Sequence, residues 1–248
     1  MNYDSYYKTA AANFNSNRLD GYDEVEEHCS WFVRNLDSGT TRTLLDIGCG
    51  TGRYTHSFAN KGLLAIGIDR SPHQIEVASR KVPALNADAL NLPFPSHAFD
   101  VISAIMMLHQ IDSCELEVLF DNIDEVLRKH GSIWIKTCSL ADLERRPFND
   151  YFPTALEVNA SRYPTIRKLL NTVQYHDFYC SRQTNKCNQY SILGSDLLSR
   201  FREKHNTTLH MLPENEFEIG MAMMEERFDP REQYSFQHYH TLIELTRC

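Results

Sequence analysis

The chain has 248 residues, of which 42% are hydrophobic, and a formal net charge of −8. This length and composition predict one compact domain, while the acidic balance argues against a general nucleic-acid binder, which needs a basic face to neutralise phosphates. No apolar run approaches the roughly 18 residues of a membrane-spanning helix, and the first residues lack a signal-peptide pattern. The seven scattered cysteines then indicate reduced thiols, so we expect a cytoplasmic protein with no membrane partner.

The chain divides into four segments by composition and pattern. Residues 1–36 carry apolar and aromatic side chains at irregular helical spacing, which predicts a helical lid. We expect a core at 37–138, a cap with the remaining core elements at 139–232, and a final strand of the core sheet at 233–248.

A glycine-rich turn follows the first predicted strand. Residues 43–47 form a short apolar run, Gly48, Gly50 and Gly52 follow at alternate positions, and a helix is predicted from Arg53. Glycines permit positive φ and leave room for a ligand against the backbone, and the first N–H groups of a helix point at such a ligand. This order predicts a nucleotide-type cofactor site.

Two charged residues narrow the choice of cofactor. The dinucleotide fingerprint places Gly or Ala where this chain has Arg53, which disfavours an NAD-dependent oxidoreductase. The carboxylate of Asp46, two residues before Gly48, would repel a pyrophosphate but suits an ammonium group. Both residues favour a cofactor with a nucleoside at one end and a cationic amino acid at the other.

Strands alternate with helices through the predicted core. Further strands are predicted at 64–68, 101–104 and 133–137, and further helices at 72–81 and 114–129. Such alternation predicts a largely parallel sheet with helices on both faces, which binds ligands beyond the carboxyl ends of its strands. Asp46, Asp69 and Asp88 all fall at predicted strand ends, so we expect them to converge on one cleft.

Several motifs in register resemble the class I S-adenosylmethionine-dependent methyltransferases. The match begins with Leu44-Leu45-Asp46-Ile47-Gly48-Cys49-Gly50-Thr51-Gly52-Arg53 and covers roughly residues 40–138. It continues through Gly67-Ile68-Asp69-Arg70-Ser71, Asn86-Ala87-Asp88-Ala89-Leu90, the run from Leu92 to Ile102, the segment from Ser103 to Ile111, and Gly131-Ser132-Ile133-Trp134-Ile135.

The resemblance implies a fold and a cofactor. The fold is an α/β Rossmann-like seven-stranded, mostly parallel sheet with helices on both faces and a small helical cap. The cofactor is S-adenosyl-L-methionine, with Asp69 on the ribose hydroxyls, Asp88 near the adenine and Arg18 reaching the methionine carboxylate. The implied cofactor contacts are Arg18, Asp46, Gly48, Cys49, Gly50, Gly52, Asp69, Arg70, Asp88, Ala89, Ala104 and Ile105.

The segment after residue 138 has a different pattern. Strands are predicted from Val173 to Arg182 and from His238 to Thr246. A helical stripe of apolar residues is expected to be buried core: Phe217, Met221, Met224 and Phe228. The short run Glu144-Arg145-Arg146 mixes signs, so we expect it on a solvated surface.

We expect a metal-independent methyl transfer by in-line displacement to an O, N or C atom of a small metabolite. His109, which follows the fourth strand, is the best candidate for a general base, because its ordinary pKa suits proton transfer near neutral pH. The cysteine and acidic residues match no metal pattern, with Cys180 and Cys187 as the nearest candidates.

Other functions stay open at this point. Enzymes that methylate nucleobase amino groups typically carry an Asn/Asp-Pro-Pro-aromatic motif after the fourth strand, where this chain has Ser103-Ala104-Ile105-Met106-Met107. An RNA-modifying methyltransferase and a catalytically silent S-adenosylmethionine-binding partner protein are the alternatives. The sequence leaves the acceptor and the oligomeric state open.

Overall fold

The computed structural model describes residues 22–37 and 40–247. Within these ranges the strands are β1 (Thr43–Ile47), β2 (Leu64–Asp69), β3 (Ala84–Asn86), β4 (Phe99–Ile105), β5 (Leu127–Thr137), β6 (Phe178–Leu193) and β7 (Gln233–Arg247). The α-helices are α1 (Tyr22–Val33), α2 (Arg53–Asn60), α3 (Pro72–Ala78), α4 (Leu116–Val126), α5 (Leu140–Glu144), α6 (Thr154–Arg162), α7 (Ile166–Gln174), α8 (Gly194–Arg202) and α9 (Glu214–Arg227). No helix in the described part of the chain is long and apolar enough to cross a membrane.

The strands form one mixed sheet in the order β3-β2-β1-β4-β5-β7-β6. The pairs from β3 through β5 are parallel, and β7 runs antiparallel to both of its neighbours. In the centre Leu45 of β1 lies beside Ile66 of β2 and Ile102 of β4. The predicted fold, a seven-stranded, mostly parallel sheet with helices, is confirmed.

Both faces of the sheet are covered by helices, because successive side chains of a strand point to opposite faces. On one face Leu45 packs in a cluster with Phe120 of α4 and Val173 of α7. On the other face its neighbour Leu44 packs with Phe32 of α1 and with α2. Because helices bury the side chains on both faces of the sheet, the sequences of the central strands are largely continuous apolar runs.

The strands β6 and β7 are much longer than the part of β7 that pairs with the rest of the sheet. They pair with each other from Phe178–Arg247 to Leu193–Gln233, while β5 meets only Thr241–Thr246 of β7. Residues 186–193 and 233–240 therefore extend past the carboxyl edge of the sheet as a two-stranded ribbon. The predicted stripe on α9 is buried, and it packs with α8 and Phe152 into a separate apolar cluster that forms the cap.

The structure shortens two predicted helices and changes the type of part of one predicted strand. The helix predicted at 72–81 ends at Ala78, and the helix predicted at 114–129 ends at Val126, where β5 begins. Val173 and Gln174 belong to α7, and the strand expected from Val173 begins at Phe178 and runs on to Leu193. Leu169 and Val173 lie four residues apart on one face of α7, and both are buried, so a helix buries them together. The predicted final strand is present and longer, from Gln233 to Arg247.

Candidate functional site

A cleft of about 1090 Å³ opens at the carboxyl edge of the sheet. The ends of β1, β2, β4 and β5 line one side, and the cap and the ribbon line the other. A single ligand typically occupies a pocket of roughly 300–1,000 Å³. The cleft therefore has room for more than one small ligand.

The turn after β1 depends on its glycines. Gly48, Gly50 and Gly52 have φ of 70°, 55° and 76°, a region that L side chains rarely adopt. A Cβ on Gly48 would lie 2.7 Å from the Cβ of Met107, so this position has no room for a side chain. The backbone of Gly48 and Gly50 thus forms part of the cleft wall, as the glycine motif predicts.

Cys49 occupies the wall of the cleft between two of these glycines. Its thiol packs so closely against β2 that a Cβ on Gly67 would lie 2.6 Å from its Sγ. Burial raises the pKa of the Cys49 thiol, and the carboxylates of Asp46 and Asp69 raise it further. The thiol is therefore protonated near neutral pH, which fits a small packing residue better than a nucleophile.

The carboxylate of Asp69 joins the glycine turn to the end of β2. Its Oδ2 accepts the backbone N–H of Gly50 at 2.9 Å, and its Oδ1 accepts the N–H of Ser71 at 2.9 Å. Ser71 caps α3 through its side chain. Each carboxylate oxygen has a second lone pair, so Asp69 can hold the turn and still accept hydrogen bonds from a ligand in the cleft.

Asp46 lies at the bottom of the cleft and is only 1% exposed. Its Oδ1 accepts the hydroxyl of Ser103 on β4 at 2.6 Å, and its Oδ2 accepts the hydroxyl of Thr55 on α2 at 2.6 Å. Burial raises the pKa of Asp46 to about 6 despite these hydrogen bonds. A cationic group in the cleft would stabilise the ionised form, which agrees with the expected ammonium neighbour.

The remaining implied contacts divide into three groups. Four of them line the cleft: Arg70, Asp88, Ala89 and Ile105. Two lie outside its walls. Ala104 is 1% exposed within the core, and Gly52 faces the end of α3 and the residues after it, where a Cβ would lie 3.2 Å from Ala78 and 2.9 Å from Val82. Arg18 falls outside the described residues.

His109 lies at the cleft in the 3₁₀ turn Leu108–Gln110 that follows β4. Its ring stacks on Tyr163, with centroids 4.5 Å apart and 12° between the planes. The side-chain nitrogen of Gln110 lies 2.9 Å from His109 Nε2. The position suits contact with a ligand, and the role of His109 as a base stays a prediction.

A buried polar network reaches the cleft at Lys136 and Tyr54, and sequence reasoning missed it. Lys136 on β5, fully buried, places its Nζ 3.1 Å from Glu24 Oε1 on α1 and 3.1 Å from the Tyr54 hydroxyl on α2. The Tyr54 hydroxyl lies 2.8 Å from His28 Nδ1, and His28 Nε2 lies 2.7 Å from His240 Nε2. His28 and His240 alone are 212 positions apart, so no local pattern could have found the network.

One group in the described part of the chain could share a metal ion. Glu24, His238 and His240 each place one ligand atom within 4.8 Å of the others. Lys136 already pairs with the Glu24 carboxylate, so a divalent ion there would compete with an ammonium group. The expected metal independence stays a prediction.

Comparison with known proteins identifies the family. Residues 45–135 match a protein family that is described as a methyltransferase domain. This segment contains the strands and turns that line the cofactor end of the cleft. An uncharacterized methyltransferase from Oceanobacillus iheyensis is 24% identical over 170 residues, which cover 64% of this chain and 80% of that protein. This chain is a class I S-adenosylmethionine-dependent methyltransferase.

Two further matches are a relative in sequence and a solved structure with a similar fold. A tRNA (carboxymethyluridine(34)-5-O)-methyltransferase from Schizosaccharomyces pombe is 30% identical over 122 residues, which cover 49% of each protein. The solved structure of the [4+2]-cyclase SpnF superposes with a TM-score of 0.63 at 18% identity, covering 98% of this chain and 94% of the cyclase. At that identity the likeness concerns the fold alone.

The cofactor of this methyltransferase is S-adenosyl-L-methionine. Three features of the cleft fit such a ligand. Gly48 has no side chain between its backbone and the cleft, Asp69 offers carboxylate oxygens as hydrogen-bond acceptors, and Asp46 is a buried acid. Arg53 lines the same cleft at the position where a dinucleotide fingerprint requires a small residue. The site therefore matches a sulfonium nucleoside better than a pyrophosphate.

Proposed function

We propose that this methyltransferase methylates a small molecule held between the cofactor turn and its own cap. The observation that carries the proposal is the continuity of the cleft, which runs from Asp69 past Met106 to Phe152 and Tyr190 of the cap and ribbon. A chamber walled by aromatic side chains of one chain suits a compact, partly apolar ligand. The proposal includes no nucleic-acid or membrane partner.

We assign the cofactor contacts as follows. Asp69 accepts the ribose hydroxyls, Asp88 and Ala89 border the adenine, and Asp46 favours the ammonium group electrostatically. When bound, S-adenosylmethionine supplies a methyl group that is already electrophilic. The backbone of the glycine turn, which forms part of the cleft wall, would hold the bound cofactor.

The chain's own contribution is then mainly orientation. The aromatic walls hold the acceptor atom in line with the methyl group and exclude water, and orientation of this kind supplies up to about 7–11 kcal/mol in favourable cases. If the acceptor must lose a proton, His109 takes it at the cleft, which adds on the order of 10²–10⁴-fold. The stacking partner Tyr163 keeps the imidazole in place.

A second candidate function is tRNA modification. It is favoured by the relative from Schizosaccharomyces pombe, which is named for a nucleoside that carries a carboxymethyl group. The formal net charge of −8 opposes it, because tRNA binding needs a basic face. The match also leaves half of that relative uncovered, so its substrate is not transferred to this chain.

The test is a search for the methylated product. The purified protein is incubated with methyl-labelled S-adenosylmethionine and a host extract, with and without ribonuclease, and the products are resolved by mass spectrometry. We expect a low-molecular-mass product heavier by one CH₂ that survives ribonuclease treatment. Label confined to ribonuclease-sensitive material would reject the small-molecule proposal and support the tRNA alternative.

The cytoplasmic location of the protein stays a prediction.

A further inference from the structure

Two adjacent arginines line the cap side of the cleft. Arg145 and Arg146 follow α5, and both contribute to the cleft wall. The expected solvated surface is wrong for Arg146, which is half-buried. The side chain of Arg146 lies 3.6 Å from Cys138 Sγ and 5.7 Å from the ring centre of Tyr163.

Neither guanidinium group is paired with an acid among the described residues. The ion pairs in the described part of the chain involve other arginines, and Arg145 instead stacks on Tyr239 at 5.1 Å. Asp142, an acid of the same segment, is buried and accepts the Ser139 N–H and the Thr241 hydroxyl through Oδ2. Both side chains thus contribute a positive charge to the wall of the chamber, Arg146 beside Tyr163 and Arg145 beside Tyr239.

Charged side chains line both ends of the cleft. Asp46, Asp69 and Asp88 line the cofactor end together with Arg53, Arg70 and Lys136, and the two arginines line the cap end together with Asp142, Glu203 and Lys204. Lys204 pairs with Glu214, which leaves Arg145 and Arg146 as the cations of the cap end without an ion pair among the described residues. A guanidinium group removed from bulk water without a carboxylate partner is costly, and an anionic ligand relieves that cost. The planar fork of Arg146 can donate two parallel hydrogen bonds to a carboxylate or a phosphate.

We propose that the methyl acceptor carries an anionic group, a carboxylate or a phosphate, that binds Arg146 with support from Arg145. This inference rests on the proposed small-molecule function. The surrounding rings of Tyr163, Tyr239 and Phe148 hold an apolar or aromatic body, since all three line the same chamber. The anion is a handle that orients the acceptor, and the atom that is methylated lies towards His109, which stacks on Tyr163.

The test measures binding of simple anions to the cofactor-loaded protein. Calorimetry is carried out with the full chain saturated with S-adenosylhomocysteine, using benzoate, phenyl phosphate and the neutral analogue benzamide as probes. We expect at least one anion to bind 10- to 100-fold more tightly than benzamide. The comparison of benzoate with phenyl phosphate distinguishes a carboxylate from a phosphate handle.

Matched variants assign the effect to the arginine. Arg146→Met replaces the aliphatic stem with an unbranched apolar chain and removes the guanidinium group. It is expected to abolish the preference for the anion while leaving the affinity for S-adenosylhomocysteine unchanged. Arg145→Met, which alters a more exposed side chain, is expected to reduce the preference and serves if Arg146→Met does not fold. Arg80→Met on the outer surface of the molecule, where Arg80 pairs with Glu76, is the control and should behave like the wild type.

The outcomes are separable. Three results overturn the anionic handle when S-adenosylhomocysteine binds normally: no anion binds, all three probes bind equally, or the preference for an anion survives both variants. None of these results affects the methyltransferase function. Failure of S-adenosylhomocysteine itself to bind overturns the proposed function, and the handle falls with it.

Discussion

Asp69 Oδ2 accepts the backbone N–H of Gly50 at 2.9 Å, so one carboxylate holds the glycine turn against the end of β2. The same side chain accepts the N–H of Ser71, which caps α3. Three elements that border the cleft thus depend on one acid. The residue assigned to the ribose is also the residue that shapes the turn.

Asp69→Asn is expected to weaken binding of S-adenosylhomocysteine by about 10- to 100-fold. The amide replaces one acceptor oxygen with a donor, and a hydrogen bond to a charged group contributes roughly 1.5–3 kcal/mol. Calorimetry measures the change, and Glu76→Gln on the exposed side of α3 is the control. An affinity within twofold of the wild type would contradict the assignment of Asp69.

Gly48→Ala is expected to lower both stability and cofactor affinity. The new Cβ would lie 2.7 Å from Met107 at a φ of 70°, so the turn must move. Gly62→Ala is a matched control, because Gly62 has a φ of 91° and open space around its Cβ. Chemical denaturation should show a loss of about 1–3 kcal/mol for both variants from backbone strain. The affinity for S-adenosylhomocysteine should fall only for Gly48→Ala, and an equal fall in both variants would contradict the account.

Asp46 makes stability depend on pH. Burial raises its pKa from 3.8 to about 6, so the folded protein keeps a proton that the unfolded chain has released between these values. The stabilisation is present below pH 4 and is lost as the pH rises through 6, by about 3 kcal/mol in all. Asp46→Asn removes this dependence.

Denaturation at several pH values measures the difference between the two proteins. We expect the stability of Asp46→Asn relative to the wild type to increase by up to about 3 kcal/mol from pH 4 to pH 7. A difference that does not change with pH would show that Asp46 has an ordinary pKa.

The buried pair of Lys136 and Glu24 should be strongly coupled. Lys136→Met leaves a carboxylate that is only 8% exposed without its ammonium partner, which costs about 3–5 kcal/mol of stability. The double variant with Glu24→Gln should be less destabilised than the sum of the single variants, with a coupling of roughly 0.5–3 kcal/mol. Additive effects in urea denaturation would contradict a direct interaction.

The sequence predicted the elements that are determined by interactions between residues close together in the chain. A run of buried residues in β1, three glycines at positive φ and acids at strand ends are all visible within short windows, and they gave the sheet and the cofactor end of the cleft. Ser71 and Pro72 likewise marked the start of α3, where the Ser71 hydroxyl accepts the Gln74 N–H.

The features that the sequence did not predict depend on contacts between residues far apart in the chain. From Gln183 to Ser191 the residues of β6 alternate between half-buried and exposed and are mostly polar, so this part of β6 carries no strong apolar strand pattern. The network of Lys136, Tyr54 and His28 joins residues on three elements. Arg146 looks like a surface residue in its local sequence, and only the folding of the cap over the sheet places it in the cleft.

The central claim is that this cleft binds a sulfonium nucleoside. Calorimetry of the purified chain with S-adenosylhomocysteine and, separately, with NAD tests it most directly, with Gly50→Arg as the variant that fills the turn. The account predicts one bound S-adenosylhomocysteine per chain, no heat with NAD and loss of binding in Gly50→Arg. A folded wild-type protein that binds NAD and ignores S-adenosylhomocysteine would contradict it.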